Sequence, residues 1–199
     1  FAKNRFLLDF RQDDSHHNKH QPYYGDAYSY FEQADWVGDK LPNLFEFYDY
    51  FFAQFPEARI IYMLRNPIDV ASSFQVRADK TAQQIKEKKT RISKWPKERG
   101  WQSAIKELNL SYSETLKFVH ARNFFILDYG SLFRDLSLLS NLYRFLDMVP
   151  PSHMFNSWKI LGEDRNKIEQ SRKSFFDEKV LHQIKSEINW SNYNKLLFL

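Results

Sequence analysis

An apolar hexapeptide that leads directly into a helix-start signal is the feature that most constrains the fold of this chain. Residues Arg59–Leu64 are short, almost wholly apolar and partly β-branched, which is typical of a buried strand in a parallel sheet. Asn66 is then placed to cap a helix whose first residue is Pro67, and Asp69 falls in the first turn. We therefore predict a strand, an abrupt turn and a helix in immediate succession.

A second segment repeats this order. Asn123–Leu127 is again a short apolar run, and the helical spacing of leucines over 132–146, with Asp135 as a cap, predicts a helix after it. Strands that alternate with helices predict an α/β protein with a parallel β-sheet flanked by helices, as one domain over 1–199. The other predicted elements are a strand at 6–8, helices at 44–55, 78–107 (broken at Pro96), 113–120 and 177–188, and loop over most of 152–172.

Composition narrows the class of protein further. Apolar residues make up 43% of the chain, which is enough for a core, yet no uncharged apolar run is long enough to span a membrane. The absence of cysteine excludes disulfides, thiolate metal sites and cysteine nucleophiles, and it fits a cytoplasmic location. The net charge of +4 is mild and spread along the chain, so a local anionic ligand explains it as well as nucleic acid does.

The end of the first predicted strand is the candidate binding site, because open parallel sheets bind ligands at the carboxyl ends of their strands. Arg65 stands at that end and offers a planar guanidinium fork, and the helix that follows adds N–H groups and a positive dipole end. Ser73 lies two turns after Asn66, on the same helix face. A purely structural alternative pairs Arg65 with Asp69 and lets the serine bond to its own helix backbone.

The segment Arg65–Ser73 resembles the 3′-phosphate motif of sulfotransferases that use 3′-phosphoadenosine 5′-phosphosulfate (PAPS), in which seven residues separate an arginine from a serine. Residues 35–42 resemble the Gly-Asp-Lys-Thr-Pro element of several bacterial, glycan and tyrosylprotein members. The turn at 55–59 and the strand end at 125–132 are similar to their counterparts as well. The resemblance covers Asp35–Val149 and implies a P-loop-NTPase-like sulfotransferase fold.

The resemblance also implies roles for individual residues. Arg65 and Ser73 would hold the 3′-phosphate, Lys40 would approach the transferred sulfonate, and Tyr129 would lie near the adenine. Arg172 belongs to the basic pair nearest to the expected C-terminal element. PAPS would be the co-substrate, no metal would be needed, and the acceptor would be a hydroxyl or amine of a carbohydrate, small molecule or peptide.

The sequence departs from the family pattern in one element above all. The five glycines include none in a loop that could cradle the 5′-phosphosulfate. One hypothesis places this loop before Phe1, and the alternative is a non-catalytic nucleotide-binding or scaffolding homologue. Gly130 stands where the family usually has glutamate, and Leu41 where it has threonine.

The acceptor hydroxyl needs a general base, and the segment before Lys40 supplies several candidates. The His-rich part of that segment has almost metal-ligand spacing, but we interpret it as a solvent-exposed loop. A kinase would need a Walker loop, and a nucleic-acid module would need a recognisable fold signature; neither is present. The candidate bases are Asp13, Asp14, His16, His17, His20 and Glu32.

Overall fold

The structure is a computed structural model, and it describes residues 30–38, 40–90, 92–160, 162 and 175–199. The chain divides into two units, 1–42 and 43–199. The described part of the first unit contains a short 3-10 helix, Phe31–Gln33. The strand predicted at 6–8 lies outside the described residues.

Two strands and a series of helices form the described part of the second unit. The strands are β1 (Ile60–Leu64) and β2 (Phe124–Asp128). A 3-10 helix, Leu44–Phe47, precedes the first α-helix. The α-helices are α1 (Tyr48–Gln54), α2 (Pro67–Lys86), α3 (Trp101–Leu116), α4 (Tyr129–Leu132), α5 (Leu136–Phe145), α6 (154–160), α7 (Glu178–Glu187) and α8 (Trp190–Leu197).

The two strands pair in parallel, with Ile60 opposite Phe124 and Leu64 opposite Asp128, and helices flank the sheet. The predicted α/β class is therefore confirmed. The prediction that the first strand is buried holds for only one face. Ile61 and Met63 are 39% and 48% exposed, since α5 and α6 cover the half of that face formed by β2.

Local signals set the helix starts. The Asn66 side chain accepts a hydrogen bond of 2.9 Å from the Ile68 amide, and Pro67 is the first helical residue of α2, as predicted. Asp135 caps α5 through the Ser137 amide at 2.8 Å. Each cap satisfies one of the amides that the first helical turn leaves without an intrahelical partner.

The predicted aromatic helix packs as expected against the sheet. Tyr48 is buried and meets Phe118 and Phe124 edge-to-face, at centroid distances of 5.2 and 5.3 Å. Such pairs add about 0.5–1.5 kcal/mol to the burial of the rings. Phe55 is the exception, because it follows the last residue of α1 and is 47% exposed.

Several predicted boundaries were wrong. The helix predicted at 78–107 is the end of α2 and the start of α3, separated by a loop that begins well before Pro96, because Lys88 adopts a left-handed φ of 49°. The separate helix predicted at 113–120 is the last part of α3. Helix α8 was not anticipated, and α6 occupies a segment predicted as loop. Met154, Phe155 and Trp158 of α6 pack on Leu127 and Leu132, so its apolar residues do have helical spacing.

One buried hydroxyl offers a test of the core. Tyr112 is 1% exposed, and its hydroxyl has no hydrogen-bond partner among the described residues. We expect Tyr112→Phe to leave stability unchanged or to raise it by about 1 kcal/mol, because it removes an unsatisfied buried group. Tyr62→Phe is the matched control: it breaks the 2.8 Å bond to Ser111 and should destabilise by about 1 kcal/mol. Urea unfolding would measure both, and a large loss in the Tyr112 variant would contradict this account.

Candidate functional site

The candidate site lies at the edge of the sheet where both strands end. Leu64 and Asp128 are the last residues of β1 and β2 and face each other in register. The residues that follow them, Arg65 and Tyr129, therefore leave the sheet side by side. This is the edge at which parallel sheets place ligands, and α2 begins there at Pro67.

Arg65 is held at this edge with an unsatisfied donor. Its guanidinium carbon lies 4.7 Å from the centroid of the Tyr129 ring, a cation–π contact. Its Nε is buried, and neither a hydrogen bond nor an ion pair links the side chain to any described residue. The alternative pairing with Asp69 is therefore not formed. A buried donor without a partner costs about 1–3 kcal/mol, and an anion at the strand end would relieve this cost.

Ser73 is half-buried in α2, two turns after the cap residue Asn66. Its neighbour Ser72 donates to the Ile68 carbonyl at 2.9 Å, the backbone bond that a helical serine commonly makes. No described residue is a hydrogen-bond partner of the Ser73 hydroxyl. The bond to the helix backbone that the structural alternative expects of Ser73 is therefore made by Ser72 instead. The Ser73 hydroxyl remains available for a ligand.

Asp128 fixes the start of α4 and with it the position of Tyr129. Its carboxylate accepts hydrogen bonds from the Gly130 amide at 3.2 Å and the Ser131 amide at 2.9 Å. Tyr129 is the first residue of the helix that this cap stabilises. Where the family resemblance led us to expect glutamate, Gly130 stands close to Arg134: an added Cβ would lie 3.3 Å from its guanidinium nitrogen.

Tyr193 of α8 is a further residue at this edge that the sequence did not reveal. Burial raises its pKa, and the nearby carboxylates Asp128 and Asp69 raise it further. Its hydroxyl therefore keeps its proton at neutral pH. Tyr193 packs on Tyr112 and Leu64 in the core behind the sheet edge, so α8 supports the end of β1.

The remaining predicted site residues fall elsewhere. Lys40 is an exposed residue of the first unit. Glu32 lies in the 3-10 helix Phe31–Gln33 of the same unit. Arg172 lies outside the described residues, as do the other candidate bases, Asp13, Asp14, His16, His17 and His20.

The described residues contain neither a metal-site arrangement nor a membrane-spanning helix. No group of three or more His, Asp or Glu side chains within them has the arrangement of a metal site. In the same part of the chain, each helix is too short or too polar to cross a lipid bilayer.

A sequence model described as the Sulfotransferase family matches residues 8–150. The match spans well over half of the chain and includes both strands, Arg65, Ser73 and Tyr129. The chain therefore belongs to the sulfotransferase family. Neither the curated proteins nor the solved structures contain a significant match.

Proposed function

We propose that this protein transfers the sulfonate group of PAPS to a hydroxyl or amine acceptor. The observation that carries the proposal is Arg65 at the carboxyl end of β1, a partly buried side chain whose buried Nε has no partner among the described residues. A phosphate monoester fits this arrangement, because arginine binds phosphate through in-plane pairs of N–H donors. The start of α2 adds amide donors and a positive dipole end on the same side.

Arg65, Ser73 and the first turn of α2 are the residues that we propose for the 3′-phosphate. Arginine supplies the charge, and the serine hydroxyl, which is not bonded to its own backbone, supplies a neutral donor. We propose Lys40 as the group that stabilises the sulfonate, and Arg172 as a further basic residue for the nucleotide. The resemblance of residues 35–42 to the family's lysine element supports the role of Lys40.

When bound, PAPS would supply an activated sulfonate whose leaving group is the 5′-phosphate of the nucleotide. An acceptor oxygen or nitrogen would attack the sulfur in line with the bond to the 5′-phosphate. As that bond breaks, negative charge grows on the leaving phosphate oxygen. A positioned ammonium lowers the energy of that charge more in the transition state than in the ground state. The acceptor loses its proton to a general base, for which Glu32 is a described candidate.

The second candidate function is nucleotide binding without transfer. One observation keeps it as an alternative: the sequence around none of the five glycines has the pattern of a phosphate-cradling loop. Both functions predict binding of 3′,5′-ADP, and only the first predicts a sulfated product from PAPS and an acceptor. A radiolabelled PAPS assay over a panel of phenols, sugars and amines, run on the full-length gene product, separates them.

Recognition of the 3′-phosphate is tested with two nucleotides and two neighbouring serines. We expect 3′,5′-ADP to raise the melting temperature several degrees more than 5′-AMP, because only the former carries the 3′-phosphate. Ser73→Ala should weaken 3′,5′-ADP binding about tenfold, the effect of one hydrogen bond to a charged group. Ser72→Ala is the matched control and should have little effect, since its hydroxyl bonds to Ile68. Equal shifts with both nucleotides would refute the proposed site.

A further inference from the structure

Three aromatic side chains lie beneath Arg65, each in contact with the next. The Tyr129 ring, which contacts the guanidinium, meets Phe133 edge-on at 5.3 Å and 89°. Phe133 in turn stacks on Trp158 of α6 at 5.1 Å and 3°. We refer to Tyr129, Phe133 and Trp158 as the aromatic stack. The aromatic stack connects the candidate phosphate site with α6, which lies well after Arg65 in the sequence.

The far end of the stack is firmly held. The Trp158 indole N–H donates to the Leu132 carbonyl at 2.9 Å, at the last residue of α4. Gly162 approaches the Phe133 carbonyl so closely that an added Cβ would lie 2.7 Å from the oxygen. With the Asp128 cap at its start, α4 is therefore fixed at both ends.

A restrained guanidinium binds phosphate better than a mobile one. An arginine side chain carries about 2 kcal/mol of rotamer entropy, and a site that has already restricted it loses less on binding. A ring beneath the guanidinium attracts its charge without using its N–H donors, which lie in the guanidinium plane. Among the residues that the structure describes, none is a hydrogen-bond partner of the Arg65 Nε, which agrees with this arrangement.

We propose that Phe133 and Trp158 are positioning residues for the nucleotide 3′-phosphate, which act through Tyr129 on the Arg65 guanidinium. This inference rests on the proposed function, because it assigns the anion at Arg65 to that phosphate. It also gives Tyr129 a role in orienting Arg65, in place of the adenine contact that the family resemblance implies. An adenine contact would affect the binding of 5′-AMP and 3′,5′-ADP alike, whereas the orientation of Arg65 would affect only the nucleotide that carries a 3′-phosphate.

The test compares the affinities of two nucleotides in a set of variants by calorimetry. The ratio of the Kd for 5′-AMP to the Kd for 3′,5′-ADP reports the contribution of the 3′-phosphate. We expect Phe133→Leu and Trp158→Leu to lower this ratio about three- to tenfold, in line with the strength of a cation–π contact, and to leave the Kd for 5′-AMP unchanged. Phe133→Tyr keeps a ring in the stack and should restore the wild-type ratio.

Phe118→Leu is the matched control, because it removes a half-buried ring from the cluster around Tyr48, away from the stack. It should lower stability without changing the ratio. Unchanged ratios in both stack variants would overturn the inference. If Tyr129→Leu weakens the binding of both nucleotides equally, Tyr129 contacts the adenine. That result would also count against the inference.

A second readout needs no nucleotide. The Hε proton of Arg65 should be shifted upfield in the NMR spectrum by the Tyr129 ring, and Phe133→Leu and Trp158→Leu should move it toward the value of an unrestrained arginine. An unmoved signal would refute the positioning role. If the wild-type protein binds neither nucleotide, the proposed function fails, and the NMR signal alone decides whether the stack holds Arg65.

Discussion

Arg65→Ala is expected to abolish most of the stabilisation that 3′,5′-ADP gives to this protein. At a ligand concentration of about 100 times the Kd, binding stabilises the wild type by about 2.7 kcal/mol, or about 5–10 °C in Tm for a domain of this size. Loss of a bidentate charge-assisted contact should weaken binding at least about 100-fold. At the same concentration, the variant should then show a shift of about 1 °C.

Two further arginine variants sharpen this test. Arg122→Ala is the control for lost positive charge, because the Arg122–Glu57 pair is exposed and lies at the opposite end of the strands. It should leave the nucleotide shift unchanged. Arg65→Lys should recover only part of the affinity, since an ammonium lacks the planar fork of the guanidinium. A full 3′,5′-ADP shift in the Arg65→Ala protein would remove the main support for the proposed function.

Lys40→Ala is expected to lower kcat about 100- to 1000-fold, the usual effect of removing one group that stabilises transition-state charge. The affinity for 3′,5′-ADP should fall much less than in Arg65→Ala, because this product keeps the 5′-phosphate but carries no sulfonate. The measurement is steady-state sulfation by the full-length protein, together with calorimetric binding of 3′,5′-ADP. The split between kcat and product affinity separates a catalytic role from general binding.

The control for Lys40 is Lys86→Ala, which removes an exposed lysine from the last turn of α2. This variant should keep kcat within about twofold of the wild-type value, as expected for the loss of a surface charge that is screened by water. If Lys40→Ala and Lys86→Ala have the same kcat, the sulfonate must be stabilised by another group. If Lys40→Ala instead weakens 3′,5′-ADP as strongly as Arg65→Ala does, Lys40 contacts the nucleotide phosphates.

The sequence predicted the local part of the site well. The strand before Arg65, the Asn66 cap and Pro67 at the start of α2 all depend on interactions within a few residues, so their signals can be read along the chain. The parallel pairing of the two strands followed from their alternation with helices. The proposed roles of Arg65 and Ser73 as phosphate ligands remain predictions.

The helical elements that were missed depend on distant partners. Helix α6 was predicted as loop because the segment is short, and its apolar residues become informative only against Leu127 and Leu132, which they cover. Helix α8 likewise depends on distant partners, since its residues Tyr193 and Leu196 pack against the end of β1 and against α3. In both cases tertiary burial supplies stability that the intrinsic helix propensity of a short segment does not.

The sequence by itself determined that a guanidinium stands where a strand ends and a helix begins. It did not determine what surrounds that guanidinium. Tertiary structure decided that Asp69 is not the partner of Arg65, and that Tyr129 lies beneath it with Phe133 and Trp158 behind. The physical reason is the range of the forces. Capping and turn geometry act between neighbours in the chain, whereas burial and ring contacts depend on which remote segments the packed core brings together.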